Sequence, residues 1–371
     1  MSPKNQTSPA AAYDIQLLFP VLFLVGIGIV MVYSASSAVA LKQYGSDYLF
    51  LKKQAFFALI GIVALAACRH FPYQWYRLLS YPLLAVALIL LIAIQVTGFG
   101  FSAGGSARWL KIGILTFQPS EFARFALVVF LAYSLDKKGE KIKAFSIGFV
   151  PHLLVFGVFA VCIIQQPDFG SVIILGILTW LMMFVGGVRC RHLFTSLITL
   201  LPVAIYYLVA AEYRVKRLLS YLNPWDYPAD EGYQIVHSLM AFGTGGVWGT
   251  GIGKGFQKLF YLPEPHTDFI FSIIGEEFGL IGVLIIIVLY GLILVKGIQI
   301  ARHAPDTFGS LMAFGLTSAL GLQVCINMGV ALGLLPTKGL TLPFLSYGGT
   351  SLLLNMASIG VLMNISSART K

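Results

Sequence analysis

Asp268 stands where chemistry could be done. It closes the run His266-Thr267-Asp268, where a polar stretch gives way to the strongly apolar segment 269–300. A carboxylate at a membrane boundary is costly unless it is paired or used. In a protected cleft that tunes its pKa it can take a proton from an attacking hydroxyl. Alternatively, it can hold a divalent cation (Mg or Mn) on a phosphate group. Glu276 and Glu277 follow in the same segment. On a helix, Glu276 lies about 80° round from Asp268 and Glu277 about 180°, so the two cannot both share its face. At least one must meet a partner from another helix or a polar cavity.

Four further clusters carry polar side chains beside apolar runs: Arg108-Trp109-Leu110-Lys111, Gln118-Pro119-Ser120-Glu121, Gln166-Pro167-Asp168-Phe169-Gly170, and 342–349 with Ser346 and Gly348. Each also has a purely structural reading. Pro119, Ser120 and Glu121 are an ordinary way to open a helix, and Arg124 is spaced to pair with Glu121. Asp168 can cap a helix. Trp109 fits an interfacial anchor, and Gly348-Gly349 fits close helix contact. The glycine-rich stretch 243–255 is not a phosphate loop. Gly253-Lys254 is preceded at the required position by Trp248 and followed by Gly255 rather than Ser or Thr. It reads as a flexible or half-embedded outer segment. Lys254 and Lys258, with Arg214, Lys216 and Arg217, would form a positive rim for an anionic headgroup or for anionic lipid in general.

The elements that position these residues follow from composition. Of 371 residues, 58% are hydrophobic and 11% charged, against roughly 25% charged in soluble proteins. A water-soluble enzyme is excluded, and so is a nucleic-acid partner inferred from the net charge of +10. Apolar segments at 15–41, 54–68, 78–98, 117–135, 145–165, 170–188, 192–213, 269–300, 308–335 and 345–365 predict ten transmembrane helices, the second extended into 48–53. No period-two alternation supports a β-barrel. The fold class is an all-α polytopic membrane protein with a single membrane domain over 1–371. The first apolar run is longer than the core of a cleaved signal peptide. Cys68, Cys162, Cys190 and Cys325 have no ligand spacing and read as small buried apolar residues.

Lys and Arg set the orientation. With the N-terminus inside, the short inner segments, notably 137–143 and 189–191, carry about twice the basic residues of the short outer loops. Both termini are then cytoplasmic, with a short inner segment 1–13 and a long outer loop 214–268 between the seventh and eighth helices. All five polar clusters fall on the outer face.

The motifs then resemble a known family. NPWDYPADEGYQIVHSLMAFGTGG and KLFYLPEPHTDFIFSIIGEEFG within 221–279, GLLPTKGLTLPFLSYGGTSLL at 333–353, Arg108-Trp109, QPSE at 118–121 and QPDFG at 166–170 are similar to the SEDS proteins (shape, elongation, division and sporulation). The runs at 258–264 and 335–339 look more like the division members than the elongation members. The resemblance implies a ten-helix peptidoglycan glycosyltransferase that polymerises lipid II at the outer leaflet of the bacterial cytoplasmic membrane. It implies as partners a class B penicillin-binding protein that supplies the transpeptidase, and other division proteins. The family's essential acid maps onto Asp268, and its important Trp and Glu onto Trp109 and Glu121. Arg124 stands where many members have Lys; the charge is kept, but a guanidinium and an ammonium are not equivalent at a phosphate. Substrate-binding candidates are Arg108, Trp109, Lys111, Glu121, Arg124, Lys254, Lys258, His266 and Ser346. Gln118, Pro119, Asp168, Glu276, Glu277 and Gly348 are candidates for structure or site. Two competing readings are a lipid II flippase, which needs polar groups reaching both sides of the bundle, and a non-catalytic division scaffold, which leaves Asp268 unexplained.

Overall fold

The structure, a computed structural model, describes residues 13–96, 100–103, 106–112, 115–210, 212–228, 232–259 and 261–368. The expected inner segment 1–13 lies outside these residues apart from Tyr13. Twelve α-helices are described: α1 (Ile15–Tyr44), α2 (Leu49–His70), α3 (Trp75–Val96), α4 (Pro119–Lys138), α5 (Val150–Ile164), α6 (Phe169–Val185), α7 (Cys190–Val209), α8 (Glu212–Leu222), α9 (Tyr233–Gly245), α10 (Ile270–Arg302), α11 (Thr307–Ala331) and α12 (Gly349–Ala368). Each of the ten apolar segments is helical. Among the described residues, seven helices are long and apolar enough to cross a membrane.

The charge on α4 has a structural reason. Glu121, Arg124, Asp136, Lys137 and Lys138 all lie on it, yet its middle is packed on α3, α6, α11 and α12, and most of it is buried. A helix surrounded by protein can hold paired charges that a lipid-facing helix cannot. The outward faces are apolar instead. Phe194, Ile198 and Leu201 on α7 and Leu284, Val288 and Leu292 on α10 are exposed, which suits contact with acyl chains. The four cysteines are free, and Cys190 and Cys325 are exposed rather than buried as expected.

Two expected loops are ordered elements. Three short strands, β1 (Gly100–Ala103), β2 (Ser106–Ile112) and β3 (Leu115–Phe117), form an antiparallel sheet with β2 in the centre. Leu110 pairs with Gly100 on one side and with Phe117 on the other. The register shifts between Phe101, paired with Trp109, and Ser102, paired with Ala107, so Arg108 is the extra residue of a bulge, a device that re-aims a side chain. The long segment 214–268 is likewise largely structured, holding most of α8 and all of α9.

The stretch after α9 packs against α10. At Gly279 the α10 backbone leaves helical geometry (φ 65°, ψ −162°), a conformation that favours glycine. The interrupted ladder is completed by the incoming strap. Thr250 and Gly251 N–H donate to the carbonyls of Glu276 and Glu277 at 2.9 and 3.0 Å, and Leu280 and Ile281 N–H donate to Gly246 and Val247 at 2.9 and 3.3 Å. Broken backbone at membrane depth survives only when protein satisfies it in this way.

Candidate active site

Four chain segments meet at the end of the bundle that carries the sheet. β2 brings Arg108, the turn before α6 brings Asp168, the turn before α10 brings Asp268, and the loop from α11 to α12 brings Lys338 and Gly339. Arg108 Nη2 donates to the Pro167 carbonyl at 3.2 Å, and its Nη1 lies 3.9 Å from Asp168 Oδ1. A side-chain carbon on Gly339 would stand 3.0 Å from Asp268 Oδ2 and 3.9 Å from Arg108 Nη1. The absence of a side chain at Gly339 therefore sets how closely that loop approaches the carboxylate. Gly170 does the same for Lys338, whose Nζ would lie 3.0 Å from an added carbon.

The charges in this cluster shift one another. Burial pushes the Asp268 carboxyl up to about 7, Glu264 adds to the rise, and Arg108 opposes it. Burial lowers Lys338 to about 8, with Asp168 opposing and Arg108 reinforcing the fall. A carboxylate near 7 is poised as a general base at neutral pH. The neighbouring cations suit charge that develops on an anionic leaving group.

Ser346 and His266 frame the cluster. Ser346 Oγ donates to the Thr267 carbonyl at 2.5 Å and accepts from Leu342 N–H at 2.7 Å. Tyr347 N–H donates to the His266 carbonyl at 2.9 Å, and Gln54 Nε2 donates to the Ser346 carbonyl at 3.2 Å. The His266 ring packs against Phe50 and Tyr347, with centroids 4.5 and 5.7 Å away. Burial lowers its pKa, against the pull of Glu264. Gly348 fits tightly under Thr341, where an added carbon would approach Cγ2 at 3.0 Å.

Asp168 is both a cap and a member of the cluster. Its Oδ1 accepts from Ser171 N–H at 3.2 Å and its Oδ2 from Ser171 Oγ at 2.7 Å, which closes the start of α6. Pro119 occupies the first turn of α4, and Gln118 bridges that turn to α12: its N–H donates to Thr350 Oγ1 at 3.2 Å and its Nε2 to Ser120 Oγ at 3.1 Å.

Several residues expected at a substrate are engaged elsewhere. Glu121 and Arg124 form a buried ion pair, and Arg124 Nη2 also donates to Gln323 Oε1 at 2.8 Å. Gln323 Nε2 in turn donates to the Thr341 carbonyl at 2.9 Å and to Ser351 Oγ at 3.1 Å. The pair therefore ties α4 to α11 and to the loop carrying Lys338. Lys258, expected on an open rim, is buried; its Nζ donates to Glu277 Oε1 at 2.5 Å and to Ser34 Oγ at 2.9 Å. Ser34 also donates to Glu277 Oε1 at 2.7 Å. Glu276 accepts from the N–H groups of Phe256 and Gln257 at 2.7 and 3.2 Å. Both glutamates thus have partners, where their positions on one helix required a partner for at least one. Lys254 is exposed. Trp109 is half-buried and Lys111 is exposed. Among the described residues no group of three His, Cys, Asp or Glu could hold a metal ion.

The comparisons fit this geometry. The profile of the family described as cell cycle protein, that of FtsW, RodA and SpoVE, matches residues 15–371. The chain belongs to this family. It is 42% identical over 355 residues to the probable peptidoglycan glycosyltransferase FtsW of Geobacter metallireducens, spanning 96% of this chain and 95% of that one. Stage V sporulation protein E of Bacillus subtilis is 43% identical over 364 residues, 98% of each chain. Among solved structures, a chain from a peptidoglycan synthase complex superposes with a TM-score of 0.80 at 29% identity, covering 97% of this chain and 99% of that one. Rod shape determining protein RodA of Thermus thermophilus gives 0.72 at 28% identity, covering 97% and 98%. Within this family fold, sequence reasoning overlooked Lys338 and Gln323. Lys338 had a signal, being a lone cation between two apolar segments; Gln323 had none, because an amide inside an apolar helix does not reveal its partner.

Proposed function

We propose that this chain is a peptidoglycan glycosyltransferase that polymerises lipid II into glycan strands for septal wall synthesis during cell division. The observation that carries the reading is Asp268, raised to about 7 by burial and set against Arg108 and Gly339, with Lys338 one residue away. The growing strand, joined through pyrophosphate to its lipid, is the donor. The 4-hydroxyl of GlcNAc on incoming lipid II is the acceptor. Asp268 takes the hydroxyl proton as the oxygen attacks the anomeric carbon. The bond from that carbon to the pyrophosphate oxygen breaks with inversion, and the leaving pyrophosphate gathers negative charge. Arg108 and Lys338 stabilise that charge through preorganised electrostatics. A divalent ion arriving on the pyrophosphate would come as part of the substrate.

In this reading all ten apolar helices cross the bacterial cytoplasmic membrane as one domain, both termini are cytoplasmic, and the sheet, the strap and the Asp268 cluster face outward. The lipid tails lie between helices while the sugars meet Asp268 at the boundary. A class B penicillin-binding protein supplies crosslinking, a pairing supported by the match to a peptidoglycan synthase complex. The test is strand synthesis from lipid II by the purified full chain, with and without that transpeptidase. Glycan ladders are expected. Translocation of labelled lipid II across vesicles without any polymer would replace this reading with a flippase.

A further inference from the structure

One buried amide on α11 touches both walls of the cluster. Asn327 is 1% exposed, and its Nδ2 spends both hydrogens on backbone carbonyls, donating to Asp268 at 2.9 Å and to Leu340 at 2.5 Å. The second bond connects to Lys338 through Leu340, whose N–H donates to the Lys338 carbonyl at 3.0 Å in a tight turn. Gly339 lies between those two residues, where an added carbon would stand 3.0 Å from Asp268 Oδ2. Asn327 therefore ties the backbone of the acid itself to the loop carrying the cation, beside the Ser346 bridge from Thr267 to Leu342. Its Oδ1 has no protein partner among the described residues, so the two donors are the contacts that its amide supplies.

We propose that Asn327 is a positioning residue of the site: by bridging the Asp268 and Leu340 carbonyls, it holds the Lys338–Gly339 wall against the half-buried Asp268 carboxylate and limits the access of water to it. The inference rests on the glycosyltransferase reading above. Its physical content is separate, because it concerns how tightly the acid is enclosed. The charged groups acting on Asp268 are Glu264 from its own turn and Arg108 from β2, with Asp168 and the Lys338 ammonium beyond Arg108. Of the influences on Asp268, enclosure is the largest and acts to keep its proton. Loosening the wall admits water and lets the carboxyl fall toward its ordinary range.

The experiment compares Asn327→Ala with wild type as purified full-length protein with the transpeptidase, following strand synthesis from lipid II across pH. The maximal rate is expected to fall about 100-fold, as a displacement near 1 Å does in a positioned site. The acid limb of the profile should move to lower pH by about half a unit or more. A lowered plateau with an unmoved acid limb would mean that Asn327 only supports folding, and would overturn the proposal. An unchanged rate would overturn it too. If Asn327→Ala does not accumulate, Asn327→Leu fills nearly the same volume without donors and must give the same shift. A wild-type enzyme that makes no strands would instead refute the glycosyltransferase reading. In that case the titration of Asp268, followed directly in wild type and variant, still decides the enclosure.

Discussion

Removing Lys258 separates a buried structural lock from an open headgroup site. In the structure Lys258 reaches across from the strap to Glu277 on α10 and Ser34 on α1, with side-chain exposures of 6% for Lys258 and 0% for Glu277. Lys258→Met keeps the length and the apolar stem but leaves the Glu277 carboxylate with only the Ser34 hydroxyl. Removing one partner of a buried ion pair costs about 3–5 kcal/mol, because the other charge stays stranded. Against a total stability of about 5–15 kcal/mol that is a large share. The melting midpoint in detergent should fall by about 5 °C or more. Replacing both partners, as Lys258→Met with Glu277→Met, should recover most of that loss, since an apolar pair of similar volume is often neutral or better. The double-mutant cycle would then show strong coupling. The assay is thermal unfolding of the purified chain, with strand synthesis measured on the same samples. A Lys258→Met protein that melts like wild type yet fails to polymerise would refute the reasoning and return Lys258 to the substrate.

Two further outcomes follow from the site itself. Strand synthesis should rise through pH about 7 as Asp268 loses its proton and fall above about 8 as Lys338 loses its charge, giving a narrow bell in initial rates; a profile flat from pH 6 to 9, an interval of about 3 units around these values, would contradict both assignments. Gly339→Ala puts a carbon 3.0 Å from Asp268 Oδ2 and should cut the rate by about 10- to 100-fold with little change in melting midpoint, because it displaces the acid without touching the core.

How much of this was legible in the sequence depends on the kind of contact. Apolar length wrote the helices plainly: 15–41 becomes Ile15–Tyr44 and 269–300 becomes Ile270–Arg302. It also placed the Asp268 turn at a helix head, and the QPDFG run as a cap whose Asp168 closes α6. Short-range spacing was equally readable, since Glu121 and Arg124 do pair. Long-range pairing was not. Lys258 and Glu277 are 19 residues apart and Ser34 is 243 from Glu277, so nothing local reveals that a basic residue in a glycine-rich stretch turns inward. The sheet of β1, β2 and β3 was missed because strands of 4, 7 and 3 residues are too short to show the alternation that marks a strand. The convergence of Arg108, Asp168, Asp268 and Lys338 joins four segments distant in sequence, and only the packing of the bundle brings them together.

The most direct measurement is strand synthesis by Asp268→Asn, read beside its melting curve. The carboxamide keeps the shape and removes the proton acceptor, so polymer should disappear. The fold should meanwhile hold or strengthen at pH 7.5, about half a unit above the raised folded value. Folding raises this acid above its ordinary pKa of about 3.9, so the carboxylate's stabilising preference for its proton is lost as pH rises through about 7. An Asp268→Asn protein that still makes glycan at near wild-type rate would contradict the account at its centre.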